Sequence, residues 1–319
     1  MSYRVTFRLA ALGMAVCAAA TLHATSPTPA GSAPAILAAP APAETFTVGT
    51  LKVERFGATG SPVVLIPGLA GGSWVWSGTI AALSPSHRVY AVTLAGFDGT
   101  PAPTAEGNWL DRADASLADL LGRPDLRKAI LVGHSLGGTL ALRFAGRHPE
   151  LPGGIVAVDG LPVFPGMERV SPEQRAAIAG GLRAQLESAS PEAFKAQQLG
   201  YMQQIGTRDK AIAGRVAPLN ARSDQKAVAR YMAEDAGADF RPALKQATAP
   251  ILEIVPYDAD DAAAGPMKMS QAQKTAYYAS LLADAPGART LAIAPSRHYV
   301  MLDQPAAFQR ALADFIRAH

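Results

Sequence analysis

Residues 131–138 read LVGHSLGG, and residues 133–137 within them form Gly-His-Ser-Leu-Gly. The apolar run AILVG (129–133) precedes this pentapeptide, and the helix-patterned LGGTLALRFAGRH (136–148) follows it. A serine on a turn between a strand and a helix, with glycine two residues either side, is a nucleophile elbow. The turn forces strained backbone angles on Ser135 and lifts its hydroxyl above the sheet edge. Larger side chains at 133 and 137 would collide there. The following helix aims its free N–H groups at the same spot, where they can stabilise an oxyanion.

Working outward, short strand-like runs alternate with amphipathic helical segments. TFTVGTLKVER (45–55) alternates as a strand pair does. VVLI (63–66), RVYAVTL (88–94), AILVG, GIVAV (154–158), PILEIV (250–255) and RTLAI (289–293) are continuous apolar runs. Helical periodicity falls at about 74–83, 109–122, 136–147, 270–284 and 304–317. Apolar strands separated by helices imply a mostly parallel sheet covered on both faces. Residues 161–245 break the alternation, with helical periodicity alone, and read as a helical cap inserted after the sixth strand.

The ends of the chain read differently. Arg4 and Arg8 precede the uncharged LAALGMAVCAAATL (9–22), so residues 1–24 are expected to be a cleaved signal peptide. As a helix, that apolar run spans about 21 Å, short of the hydrocarbon core, so no stable membrane anchor is expected. The Ala/Pro-rich stretch 25–43 reads as an extended linker, leaving 44–319 as the folded domain. Export to the periplasm or medium follows as an expectation. Cys17 lies in the leader and is the only cysteine, so no thiol chemistry is expected in the mature protein.

Composition excludes other classes. The 319 residues are 49% hydrophobic and 17% charged, which excludes disorder along the whole length. A net charge of +3 gives no nucleic-acid footprint. There is no H-E-x-x-H and no Gly-rich phosphate loop, so neither a metal nor a cofactor is expected.

On the elbow and its strand–helix setting, residues 44–319 resemble the α/β-hydrolase superfamily. The resemblance implies an eight-stranded, mostly parallel sheet, a helical cap and a serine–acid–histidine triad in that chain order. His298, in APSRHYVMLDQP (294–305), follows the last strand where the family places its base. Two aspartates compete for the acid. Asp159 follows GIVAV directly, 24 residues after Ser135, and Asp258 follows PILEIV, where most members carry the acid. The segment 256–260 departs from the usual Gly-x-x-Asp strand ending, and Asp159 sits where a subset of members places the acid, so Asp159 is preferred. The amides of Leu136 and of Leu69, after Pro67-Gly68, are the expected oxyanion donors.

Gly68, Trp74, Leu161, Phe164 and Tyr299 are the expected pocket wall, mostly apolar, suiting a small ester substrate. The favoured reading is an exported serine hydrolase cleaving esters through an acyl-enzyme. The alternatives are an aminopeptidase or carbon–carbon-bond hydrolase on the same fold, or a non-catalytic binder of hydrophobic ligands. For a peptidase, Glu168, Glu234, Asp235 and Asp239 are the cap acids available to hold an amine.

Overall fold

A computed structural model describes residues 39–264 and 268–319. The signal-peptide reading and most of the linker reading lie outside these residues.

Eight strands form one sheet in the order β1-β2-β4-β3-β5-β6-β7-β8. They are β1 (Glu44–Val48), β2 (Leu51–Phe56), β3 (Pro62–Ile66), β4 (Arg88–Leu94), β5 (Ile130–His134), β6 (Gly154–Val158), β7 (Ile251–Pro256) and β8 (Arg289–Ile293). The β1–β2 and β2–β4 pairs are antiparallel, and all the others are parallel. From β3 the chain steps outward to β4 and then back past β3 to β5. The crevice at the carboxyl ends of β3 and β5 is therefore a topological switch point, where open α/β sheets bind ligands.

Strand side chains alternate between two cores. Val64, Ile66, Tyr90, Val92, Leu131, Ile155 and Ala157 face one core, under α2 (Trp109–Leu121) and α3 (Leu136–Arg147). Val63, Leu65, Val89, Ala91, Val132, Val156 and Val158 face the other. That second core is closed by α1 (Ser77–Leu83) and α11 (Pro305–Ala318). Burial on both faces explains why these strands are apolar at every position rather than at alternate ones.

Between β6 and β7 lie α4 (Pro172–Glu187), α5 (Pro191–Tyr201), a π-helical turn (Met202–Gly206), α6 (Lys210–Asn220) and α7 (Gln225–Gly237). Ser171, Ser190, Asp209 and Asp224 cap the four helices through their side-chain oxygens. Short α8 (Ala259–Ala264) and α9 (Gln271–Leu281) follow β7, and α10 (Val300–Asp303) precedes α11.

The inserted helices are bound to loops at the carboxyl ends of the strands. Ser223 Oγ donates to Ala70 O (2.9 Å) and accepts from Asp98 N (2.9 Å). Asp224 N donates to Gly96 O (2.7 Å), and Phe240 N to Pro162 O (2.7 Å). The insertion thus sits over the same edge of the sheet as the switch point. No helix among the described residues is long and apolar enough to cross a membrane.

Candidate active site

Ser135 stands between β5 and α3 with φ 53° and ψ −123°, a conformation that costs energy in a non-glycine residue. Its neighbours make the turn possible. A Cβ on Gly133 would lie 2.1 Å from Gly137 O, and one on Gly137 would lie 2.3 Å from Ile66 O. Ser135 N donates to Val158 O (2.9 Å), fixing the elbow to the end of β6.

The loop after β3 presses against the serine. A Cβ on Gly68 would lie 2.9 Å from Ser135 Cβ and 2.8 Å from His134 Nδ1. Leu69 follows on this loop and is partly exposed. Leu136 N belongs to the first turn of α3, whose cap Ser135 supplies no side-chain hydrogen bond. Two main-chain segments with donors to offer thus flank one hydroxyl, an arrangement suited to holding an oxyanion.

His298 lies in the loop between β8 and α10. Its Nδ1 is 2.5 Å from Asp159 Oδ2, with the carboxylate accepting. Asp159 also has positive φ (50°), donates its N–H to Ile254 O (3.0 Å) and accepts the Tyr278 hydroxyl on Oδ1. Burial alone would raise its pKa. The His298 charge and hydrogen bond, with Lys274 and Tyr278, outweigh this and hold the carboxyl well below the usual range. With Nδ1 committed to Asp159, Nε2 is the ring nitrogen left for proton transfer. The His134 ring, beside the serine, is 4.4 Å from that of His298 between centroids.

Asp258 has other partners. Its Oδ1 accepts the amides of Asp260 (2.9 Å) and Asp261 (3.2 Å) at the start of α8. Its Oδ2 lies 2.5 Å from Arg208 Nε. The structure thus brings Asp159 to His298 and gives Asp258 to the inserted helices.

The expected pocket residues divide. Gly68 lies against Ser135, and Trp74 is partly exposed at the rim of the second core. Leu161 is buried with Val255, Tyr278 and Leu281, and Phe164 packs against the same cluster. Tyr299 is 1% exposed, and its ring lies 4.4 Å from that of His134. Leu161 and Tyr299 therefore back the site from inside the core rather than forming an open wall, because the apolar turns after β6 and β8 fold inward.

Three contributors escaped the sequence reading. His134 is fully buried and its Nε2 donates to His298 O (3.1 Å). Burial, then the neighbouring His298 charge, pushes its pKa well below the ordinary histidine value, so it is a neutral spacer. Glu253 points from β7 beneath Asp159, and its Oε1 accepts Gly160 N (3.3 Å). Burial, then the Asp159 charge, raises its carboxyl well above the usual range. One glutamate inside PILEIV was the available signal for it. Tyr201, at the end of α5, meets the His298 ring edge-on at 6.0 Å. No sequence pattern separates it from the rest of the insertion.

Comparison with known proteins gives the family and the fold. The pattern of the alpha/beta hydrolase family matches residues 63–311. Among curated proteins, an uncharacterized protein of Mycobacterium tuberculosis, Rv2715, is 32% identical over 110 residues, covering 34% of this chain and 32% of its own. The pimeloyl-[acyl-carrier protein] methyl ester esterase of Aeromonas hydrophila is 34% identical over 118 residues, covering 36% of this chain and 43% of its own. The chain thus spans about a third to under half of the length of these relatives.

Among solved structures, a hydrolase from Pseudomonas aeruginosa superposes with a TM-score of 0.69 at 20% identity, covering 86% of this chain and 98% of its own. The enol-lactonase of Burkholderia xenovorans gives 0.62 at 21% identity, covering 86% and 100%. At these identities the likeness speaks for the fold. The family match spans most of the chain and includes β3, the elbow, Asp159 and His298: this protein belongs to the alpha/beta hydrolase family.

Proposed function

We propose that the protein is a serine hydrolase that cleaves esters of small, largely apolar substrates. The observation that carries this reading is a strained serine elbow whose neighbouring His134 ring lies 4.4 Å from the ring of His298, itself hydrogen-bonded through Nδ1 to Asp159. Ser135 Oγ attacks the ester carbonyl while His298 Nε2 takes its proton. The Leu69 and Leu136 amides hold the tetrahedral oxyanion. Its collapse expels the alcohol, protonated by His298, and leaves an acyl-serine. Water, deprotonated by His298, then releases the carboxylic acid and restores Ser135. Asp159 keeps the imidazole in the productive tautomer and stabilises its cation.

Cap chemistry favours esters over peptides. Glu168 accepts from the Tyr277 hydroxyl, Glu234 accepts the Trp109 and Leu110 amides (2.8 Å each), and Asp239 pairs with Arg241 (2.7 Å). Asp235 has no such partner among the described residues, but burial pushes its carboxyl up to about 7. That desolvation disfavours the charged form a substrate amine would need. The esterase among the curated relatives supports the same choice. We also propose export, on the basic start and apolar run of residues 1–24. Recovery of a shortened chain outside the cytoplasm is the expected result.

The test of the reaction is intact-mass analysis after treatment with a fluorophosphonate, alongside turnover of para-nitrophenyl esters. One adduct per chain, absent in Ser135→Ala and suppressed in His298→Ala, is expected. Folded wild-type protein that takes no adduct and hydrolyses no ester would turn the reading toward a ligand-binding protein.

A further inference from the structure

The loop carrying His298 is anchored in part by the inserted helices. The N–H of His298 donates to Ile205 O (3.2 Å), and that of Tyr299 donates to Gly206 O (2.9 Å). Both acceptors belong to the π-helical turn Met202–Gly206. A π turn displaces carbonyls from the regular ladder and leaves them free to accept from outside, a feature frequent at functional sites.

One side chain grips this turn from the other side. Arg297 Nη1 donates to Gln203 O (3.0 Å) and Thr207 O (3.3 Å), while its Nη2 donates to Asp261 Oδ1 (2.6 Å). Arg297 N donates to Asp303 Oδ2 (2.8 Å), and Asp303 Oδ1 accepts Arg208 N (3.0 Å). Arg208 in turn reaches Asp258. The guanidinium thus joins the π turn to α8, while the main-chain N–H groups of His298 and Tyr299, beside it in sequence, donate to two more of the turn's carbonyls.

We propose that Arg297 is a positioning residue that sets the main chain of His298 by fixing the π turn against it. The inserted helices then serve the chemistry as well as covering the site: moving the turn moves the histidine. Lysine cannot replace arginine here, because one ammonium cannot serve two carbonyls and Asp261 in the forked geometry a guanidinium provides. This inference rests on His298 being the base of the proposed reaction.

The test uses the full chain, with active sites titrated by fluorophosphonate so that turnover is expressed per competent site. Arg297→Met is expected to lower kcat per titrated site by about tenfold or more, with KM for para-nitrophenyl butyrate changed less than about twofold. Arg297→Lys is expected to recover only part of the loss. A purely structural role would reduce the number of titratable sites and the melting temperature while leaving kcat per site unchanged, and that result overturns the proposal.

Should Arg297→Met not fold, Asp261→Asn removes one partner alone. A loss of about threefold in kcat per site supports the proposal, and an unchanged value overturns it. Ser135→Ala in the same assay separates the two claims. If it retains wild-type turnover, the serine-hydrolase reading fails. If it is inactive while Arg297→Met matches wild type per site, only the positioning role fails.

Discussion

The loops after β6 and β7 both carry an aspartate within two residues of the strand end, yet the two side chains lead different lives. Asp159 is forced to positive φ, keeps 14% of its side chain exposed, and gives its oxygens to His298 and Tyr278. Asp258 starts a short helix and gives its oxygens to two helical amides and Arg208. Burial works against ionisation in both, and cationic or donor partners reverse it in both. What separates them is the neighbour: a titratable imidazole in one case, a permanently charged guanidinium in the other. An acid that serves catalysis must face a group that changes its charge during the reaction.

Substitution breaks the comparison most sharply at Asp159. Asp159→Asn is expected to lower kcat by about 10³–10⁴-fold, because an amide can hold the wrong imidazole tautomer and cannot stabilise its cation. Steady-state ester hydrolysis measures it.

Gly68→Ala is expected to come next, at about 10²-fold in kcat/KM. Its new methyl would meet Ser135 Cβ at 2.9 Å and move the loop after β3 off the serine. Ester hydrolysis with the melting temperature recorded in parallel checks that the loss is local.

Glu253→Gln sharpens the account from beneath Asp159. The folded pKa of Glu253 is raised, so the glutamate favours the native state fully below the ordinary carboxylate pKa and loses that contribution as pH rises. Glutamine does not titrate. The melting temperature of the variant should therefore gain on wild type as pH rises above the ordinary carboxylate range, and thermal scans upward from that range show it.

Asp258→Asn should be the mildest in turnover. Its kcat should stay within about threefold, with a melting temperature lower by about 2–4 °C at neutral pH. The folded pKa of Asp258 is depressed, so its stabilisation exists above the ordinary carboxylate pKa and is lost as pH falls through the folded value. The gap between variant and wild type should close below about pH 4.

Much of this was legible in the chain. The apolar strand runs revealed a two-faced parallel sheet, because only burial on both sides demands apolar residues at consecutive positions. The elbow declared itself through Gly133 and Gly137, whose missing side chains are what let β5, α3 and the β3 loop meet. Position after the last strand singled out His298, and the fold sets its ring against Asp159. The choice between Asp159 and Asp258 was not decided by residue type, since both follow apolar strands. It turned on which carboxylate the fold sets against the imidazole.

The pocket was harder to read. Leu161 and Tyr299 are apolar residues close in sequence to Asp159 and His298, and sequence cannot say whether such a side chain turns toward substrate or into the core. His134 and Glu253 act through buried polar contacts between residues 164 and 93 positions apart, a separation no local pattern encodes. The π turn arises where α5 meets the His298 loop, so its carbonyls acquire meaning only in three dimensions.

The central claim is that Asp159, and not Asp258, arms His298 and through it Ser135. The second-order rate of fluorophosphonate addition to Ser135 tests it most directly, compared among wild type, Asp159→Asn and Asp258→Asn. The account predicts a fall of about 10³-fold or more for Asp159→Asn and a rate within about threefold of wild type for Asp258→Asn. The reverse order, or equal rates in all three proteins, would contradict it.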